Sequence, residues 1–167
     1  YHPAYTYGPD FVDGYVRALI RSDNGATHSR LLEVTVTPDG VAYHVAAERP
    51  GYDLDEFVVS DDLSTVALLW NINGCSELQI LEYADNTLTE PITLPNLVAG
   101  ELSISAGGSM VALTVQGADL PRTVELVDPR HDALLRPERL RAGERRPDQH
   151  DHGVAPRRPR SEERRVG

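Results

Sequence analysis

The chain contains no lysine; all 16 of its strongly basic side chains are arginines. It has one cysteine, Cys75, and only one methionine and one tryptophan among its 167 residues. A lone cysteine excludes an internal disulfide and a thiolate cage for a metal. No apolar run approaches the roughly 20 residues that a membrane-crossing helix needs. No phosphate-cradling glycine loop is present. The opening "YHPAYTYGPD" lacks an initiator methionine and the basic-then-apolar pattern of a secretory signal. We read it as beginning inside a longer protein, with a cytoplasmic location expected and an upstream signal peptide left open.

Charge is unevenly spread. The net value is −10, yet residues 1–130 hold six arginines and nineteen acids, a balance of −13. Residues 131–167 hold ten arginines and seven acids, a balance of +3. The acidic portion would repel a polyphosphate backbone, so no nucleic-acid partner is expected, and no membrane partner. With 40% apolar residues the chain is rich enough to bury a core.

Short apolar segments recur with turn signals between them. They predict strands near 14–21, 30–36, 41–47, 56–60, 64–71, 76–83, 88–93, 101–105, 109–116 and 122–128. Pro38-Asp39-Gly40 predicts a turn, because proline presets the first dihedral and glycine accepts a positive φ. Asp23-Asn24-Gly25 and Asp85-Asn86 predict two more. "VALLW" at 66–70 is apolar at five successive positions, which predicts a strand covered on both faces.

The text then repeats. Ser60 and Val66-Ala67-Leu68 match Ser105 and Val111-Ala112-Leu113 at a spacing of 45, and Asp62 matches Gly107. "ELQILEY" at 77–83 matches "TVELVDP" at 123–129 at a spacing of 46. A weaker copy, "DGYVRALI" at 13–20 and "SRLLEVTV" at 29–36, precedes both. A period in the forties with about four short strands per copy predicts the blades of a β-propeller. A β-sandwich is the alternative, but it has no reason to repeat type, order and spacing together. The expected fold is therefore all-β, an incomplete propeller of about three four-stranded antiparallel blades at 11–50, 51–96 and 97–130, after an irregular segment at 1–10. Three blades are too few to close, and an open arc leaves apolar faces at both ends.

The blade text resembles the propeller of the prolyl oligopeptidase family of serine peptidases. The matching features are Ser60, Asp62, Val66-Ala67-Leu68, Asn71, Asn73-Gly74, Glu77-Leu78, Ile80-Leu81-Glu82 and Leu94-Pro95. The third copy keeps Ser105, Gly108, Val111-Ala112-Leu113, Pro121 and Val124-Glu125-Leu126. Asp62-Leu63 departs from the usual Asp-Gly. The resemblance spans about residues 10–130. It implies a substrate-gating propeller joined to an α/β-hydrolase domain that carries a G-x-S-x-G serine, an aspartate and a histidine and hydrolyses short peptides. The implied partners are a peptide substrate, reached through that domain, and the remaining blades. A non-enzymatic TolB-like propeller, serving as a platform for other proteins, is the alternative.

No catalytic, cofactor-binding or metal-binding residue is expected in this chain. "GGSMV" at 107–111 lacks the final glycine of the nucleophile motif and lies between strands, so Ser109 is read as a turn residue. Asp53, Asp55, Glu56, Asp61 and Asp62 do not match the spacing of a calcium loop and are expected on a solvated loop face. Among the histidines, His2, His28, His44, His131, His150 and His152, only His150 and His152 invite a metal reading, and two ligands alone are weak. His44 is expected to be a packed or surface residue, and Trp70 a core residue. Beyond residue 130 aromatics vanish and β-branched residues almost do, so 131–167 is expected to be disordered. "RSEERRVG" at 160–167 resembles a translated sequencing adapter, and a frame shift ahead of it would remove the third blade's outer strand.

Overall fold

The computed structural model describes residues 16–94, 97–131 and the backbone of 133–135. The described residues form strands and turns, with no helix. Strands β1 (Val16–Ser22), β2 (Arg30–Thr37) and β3 (Gly40–Ala47) make a first antiparallel sheet. The second contains β4 (Asp53–Val59), β5 (Thr65–Ile72), β6 (Cys75–Glu82), β7 (Thr87–Leu88) and β8 (Ile92–Thr93). The third contains β9 (Val98–Ile104), β10 (Val111–Gly117), β11 (Leu120–Asp128) and β12 (Ala133–Leu135). Each sheet is an up-and-down meander, as a blade requires. The all-β architecture of a partial propeller follows.

The three sheets stack in chain order, with a core on each side of the middle one. Leu19, Leu31, Ala46 and Ala47 of the first sheet pack against Leu54, Phe57, Val59, Val66, Leu68, Trp70 and Leu81 of the second. Ala67, Leu69, Leu78 and Ile80, on the opposite face of the second sheet, pack against Val111, Leu113, Val115 and Val127 of the third. Successive strand residues point to opposite faces, so the unbroken apolar run of β5 supplies both cores at once. That is why "VALLW" does not alternate.

Four boundaries differ from the sequence-based expectation. β4 starts at Asp53 rather than near 56, because Leu54 pairs with Trp70 while Glu56 pairs with Leu69, leaving Asp55 as an extra residue. This bulge resets the alternation, so Leu54 and Phe57 reach the same core although an odd number of residues apart. The segment expected at 88–93 is split into β7 and β8, both paired to β6, around Pro91. The third sheet does not lack an outer strand: the apolar Ala133-Leu134-Leu135 pairs with Asp128, Val127 and Leu126, inside the segment expected to be disordered. The first sheet has three described strands rather than four. Its β1 and β2 answer to β5 and β6 in the repeat, and the residues before 16, where the sequence-based reading began this blade, lie outside the described residues.

The repeated turns share their backbone hydrogen bonds and the bond to the leading serine. Ser60 N donates to Thr65 O at 2.9 Å, and Ser105 N to Met110 O at 2.9 Å. Thr65 N donates to Ser60 Oγ at 3.0 Å, and Met110 N to Ser105 Oγ at 3.0 Å. Leu63 has φ 58° where Gly108 has φ 66°. The usual Asp-Gly glycine is thus explained by a left-handed position, which Leu63 occupies at a steric cost while packing partly buried against the first core. The predicted turns also form: Gly25 has φ 72°, Asn86 φ 51° and Gly40 φ 148°.

Candidate functional site

The polar groups collect where one sheet hands the chain to the next. The β1–β2 turn and the β3–β4 connection enclose a cleft of about 220 Å³ lined by residues 26–30 and 48–52. Ser29, which lines it just before β2, meets Asp53 at the start of β4. Asp53 Oδ1 accepts from Ser29 N at 2.7 Å and lies 3.2 Å from Ser29 Oγ, while His28 Nδ1 is 3.3 Å from Asp53 Oδ2. The Ser29 hydroxyl also reaches Leu54 O at 2.8 Å. The Ser29 amide, then His28, hold the Asp53 carboxyl below the usual carboxylate range.

Serine, histidine and aspartate therefore meet here, but in an order that does not activate a nucleophile. The aspartate sits between the other two, and the serine has oxygen acceptors rather than an imidazole for its proton. The cluster is a joint between sheets. Its counterpart lies 47 residues on: Ser76 N donates to Leu97 O at 3.0 Å, and Ser76 Oγ accepts from Ala99 N at 2.9 Å. Each serine ties the third strand of its blade's repeat pattern to the approach of the next sheet. The sequence reading passed over Ser29 and Ser76; aligning "SRLLEVTV" with "SELQILEY" was the signal that could have found them.

Other inter-sheet contacts follow the same plan. Arg49 pairs with Glu77 at 2.8 Å and its guanidinium lies 5.5 Å from the Tyr52 ring centroid and 6.0 Å from that of Trp70. Glu56 accepts from Glu101 N and Leu102 N, each at 2.9 Å, pinning an irregular stretch of β9 where Glu101 has φ 54°. The Arg21 guanidinium reaches the carbonyls of Leu54 and Asp55 at the β4 bulge. Glu33 of the first sheet accepts from the Tyr83 hydroxyl of the second. Burial, then the Glu33 carboxylate, raises the Tyr83 hydroxyl above its ordinary value.

The acidic group singled out from sequence is dispersed, not gathered. Asp53 and Glu56 lie on a strand and cap backbone groups of neighbouring elements, which corrects the expected solvated loop face. Asp55 Oδ2 accepts from Asn71 Nδ2 at 3.1 Å. Asp62 stays in its turn, accepting from Ser60 Oγ at 2.6 Å, Ser64 Oγ at 2.7 Å and Ser64 N at 3.0 Å; Ser60 first, then Ser64, lower its carboxyl. Asp61 is exposed. No group of three or more metal-ligating side chains occurs among the described residues. Ser109 lies in the β9–β10 turn, 3.3 Å from Ser105 Oγ. His44 is exposed on β3, and His131 Nδ1 contacts Asp128 Oδ2 at 2.8 Å across a turn. His131 first, then the Arg130 amide, lower the Asp128 carboxyl. Trp70 is fully buried, as expected of a core residue. His2, His150 and His152 lie outside the described residues.

A chain from a structural and mechanistic analysis of two prolyl endopeptidases superposes with a TM-score of 0.58 over 80% of this chain, at 16% identity. The likeness is one of fold. This chain covers 19% of that chain's length. No family model matches the sequence, and no curated protein does. The described arc is thus a partial propeller related in fold to part of a prolyl endopeptidase.

Proposed function

We propose that this chain is the substrate-gating propeller portion of a serine peptidase of the prolyl oligopeptidase type, which hydrolyses short peptides. The single observation that carries this reading is the serial stack of three meander sheets with matching turns at a 45-residue spacing, on the fold that the prolyl endopeptidase chain shares. The described sheets act as a scaffold: the one place where serine, histidine and aspartate meet is wired as a joint. The acyl-transfer chemistry then belongs to a hydrolase domain carrying the serine in a strand–turn–helix elbow. The propeller's part is steric, admitting peptides and excluding folded chains.

The test is to follow the reading frame of residues 97–128 downstream in the source transcript and assay the encoded protein on a chromogenic proline-containing peptide. The expected outcome is a G-x-S-x-G serine followed by aspartate and histidine, with hydrolysis lost on serine-to-alanine substitution. A stop soon after the last blade, with no hydrolysis, overturns the peptidase reading and favours a TolB-like interaction platform.

A further inference from the structure

Two asparagines stand directly before a glycine, Asn24-Gly25 and Asn73-Gly74. They hold the same place in the repeat, the turn between β1 and β2 in the first sheet and between β5 and β6 in the second. An Asn-Gly step is open to loss of the side-chain amide, because glycine has no Cβ to keep its backbone nitrogen away from the asparagine side-chain carbonyl. That nitrogen must give up its proton to attack, so whatever stabilises or opposes the amidate sets the rate. All four residues are exposed. The second turn is exposed although its sheet is covered on both faces, so access to such a turn does not depend on what lies beyond a sheet.

The folded chain treats the two steps differently. Gly74 N donates to Asn71 Oδ1 at 2.9 Å, and Asn71 is held in that pose by donating from Nδ2 to Asp55 Oδ2 at 3.1 Å. Removing the Gly74 proton would break this bond and leave two electron-rich atoms facing each other. In the first turn the closing bond runs from Ala26 N to Asp23 O at 2.9 Å, and Gly25 N makes no hydrogen bond among the described residues. The Asn24–Gly25 peptide carries the reverse influence. Arg30 Nη2 donates to Asn24 O at 3.2 Å and lies 3.9 Å from where a Cβ on Gly25 would stand. Arg30 is itself fixed by Glu48 at 2.9 Å. Once the peptide is deprotonated, much of its negative charge sits on that carbonyl oxygen, where the guanidinium stabilises it.

We propose that Asn24 is a site of spontaneous deamidation promoted by Arg30, and that Asn73, with the same neighbour in sequence, is protected by Asn71. The Gly25 nitrogen bonds to Asn24 Cγ, the bond from Cγ to the side-chain nitrogen breaks, and that nitrogen leaves as ammonia, the proton lost by the glycine amide reaching it through water. The five-membered imide then takes up one water at either carbonyl, giving aspartate or isoaspartate at position 24. The product adds a carboxylate beside Asp23, in a turn whose far end carries the His28 and Ser29 that fasten the first sheet to Asp53. The isoaspartate form also lengthens the backbone there by a methylene. The inference rests on the two turns and not on the peptidase reading.

Incubation of the full 167-residue chain at mildly alkaline pH, with peptide mapping by mass spectrometry over time, tests it. In the folded chain Asn24 should lose its amide at least ~tenfold faster than Asn73, the scale of a charge-assisted hydrogen bond, and the two rates should converge in concentrated urea. Arg30→Gln, which removes the charge, should slow Asn24. Asn71→Ala should speed Asn73 severalfold and leave Asn24 unchanged. That second variant lies in the other sheet and decides the matter if Arg30→Gln loses its far-ultraviolet β spectrum. Equal rates in the folded chain, faster loss at Asn73, a difference that persists in urea, a folded Arg30→Gln with the wild-type Asn24 rate, or an Asn73 rate unmoved by Asn71→Ala would each overturn the inference.

Discussion

Glycine 108 shows how much one backbone position can carry. Its φ is 66°, and a Cβ there would overlap the side chain of Thr65, at the start of β5 in the preceding sheet. Gly51 has φ 86° with open space around it. Gly108→Ala should therefore cost clearly more stability than Gly51→Ala: roughly 1 kcal/mol for the left-handed strain alone at Gly51, and upwards of about 2 kcal/mol at Gly108 where a clash adds to it. Urea unfolding of the two variants makes the comparison. Titration gives a second residue-scale prediction. The Asp53, Asp62 and Asp128 carboxyls are lowered in the fold, so their contribution is present above the unfolded carboxyl range and is lost as pH falls through the folded values. Tyr83 runs the other way. Its folded value is raised, so its contribution is intact below the ordinary tyrosine value near 10 and is lost as pH rises beyond it. Melting curves across pH should fall at both ends, and Tyr83→Phe should remove part of the alkaline fall while leaving the acid one.

At the scale of elements, β5 and the strands β4 and β9 that Glu56 joins hold the stack together. β5 feeds both cores, so truncating its largest side chain should be severe. Trp70→Ala is expected to cost about 3–5 kcal/mol, read from urea unfolding. Glu56 is the less obvious element-scale residue, since it joins β4 to β9 by accepting two backbone N–H groups. Glu56→Ala should cost about 2 kcal/mol, the scale of hydrogen bonds to a charged acceptor, and should loosen β9 ahead of β5 in amide hydrogen exchange. Equal exchange in both strands would refute that assignment. The elements were legible to different degrees. Strands β2, β3, β5 and β6 were plain because their apolar text was bounded by turn residues. The start of β4 was not, because the bulge at Asp55 broke the two-residue period that marks a strand. β12 escaped because three residues are too few to display any period at all.

At the scale of the molecule, a repeat of sheets explains what no single residue does. The two turn copies share their backbone bonds and the serine-to-amide bond, and the sheets they open lie next to each other with Asp62 N donating to Ala106 O at 3.2 Å. Among the described residues, the middle sheet has another sheet packed on each of its faces. The described sheets supply geometry: where serine, histidine and aspartate meet, they are committed to fastening one sheet to the next.

The sequence by itself determined the strands, most turns, the 45-residue period and the double-sided burial of "VALLW". All of these are local: they follow from side-chain alternation, from glycine and proline at turns, and from one segment resembling another. Only the tertiary structure decided which carboxylates act as joints. Asp53 and Glu56 look like any acidic loop in the text, since their partners Ser29, Glu101 and Leu102 lie 24 to 46 residues away. It also decided which face of β5 meets which sheet, because the cover of a face is the sheet beside it, and no stretch of sequence contains its neighbour.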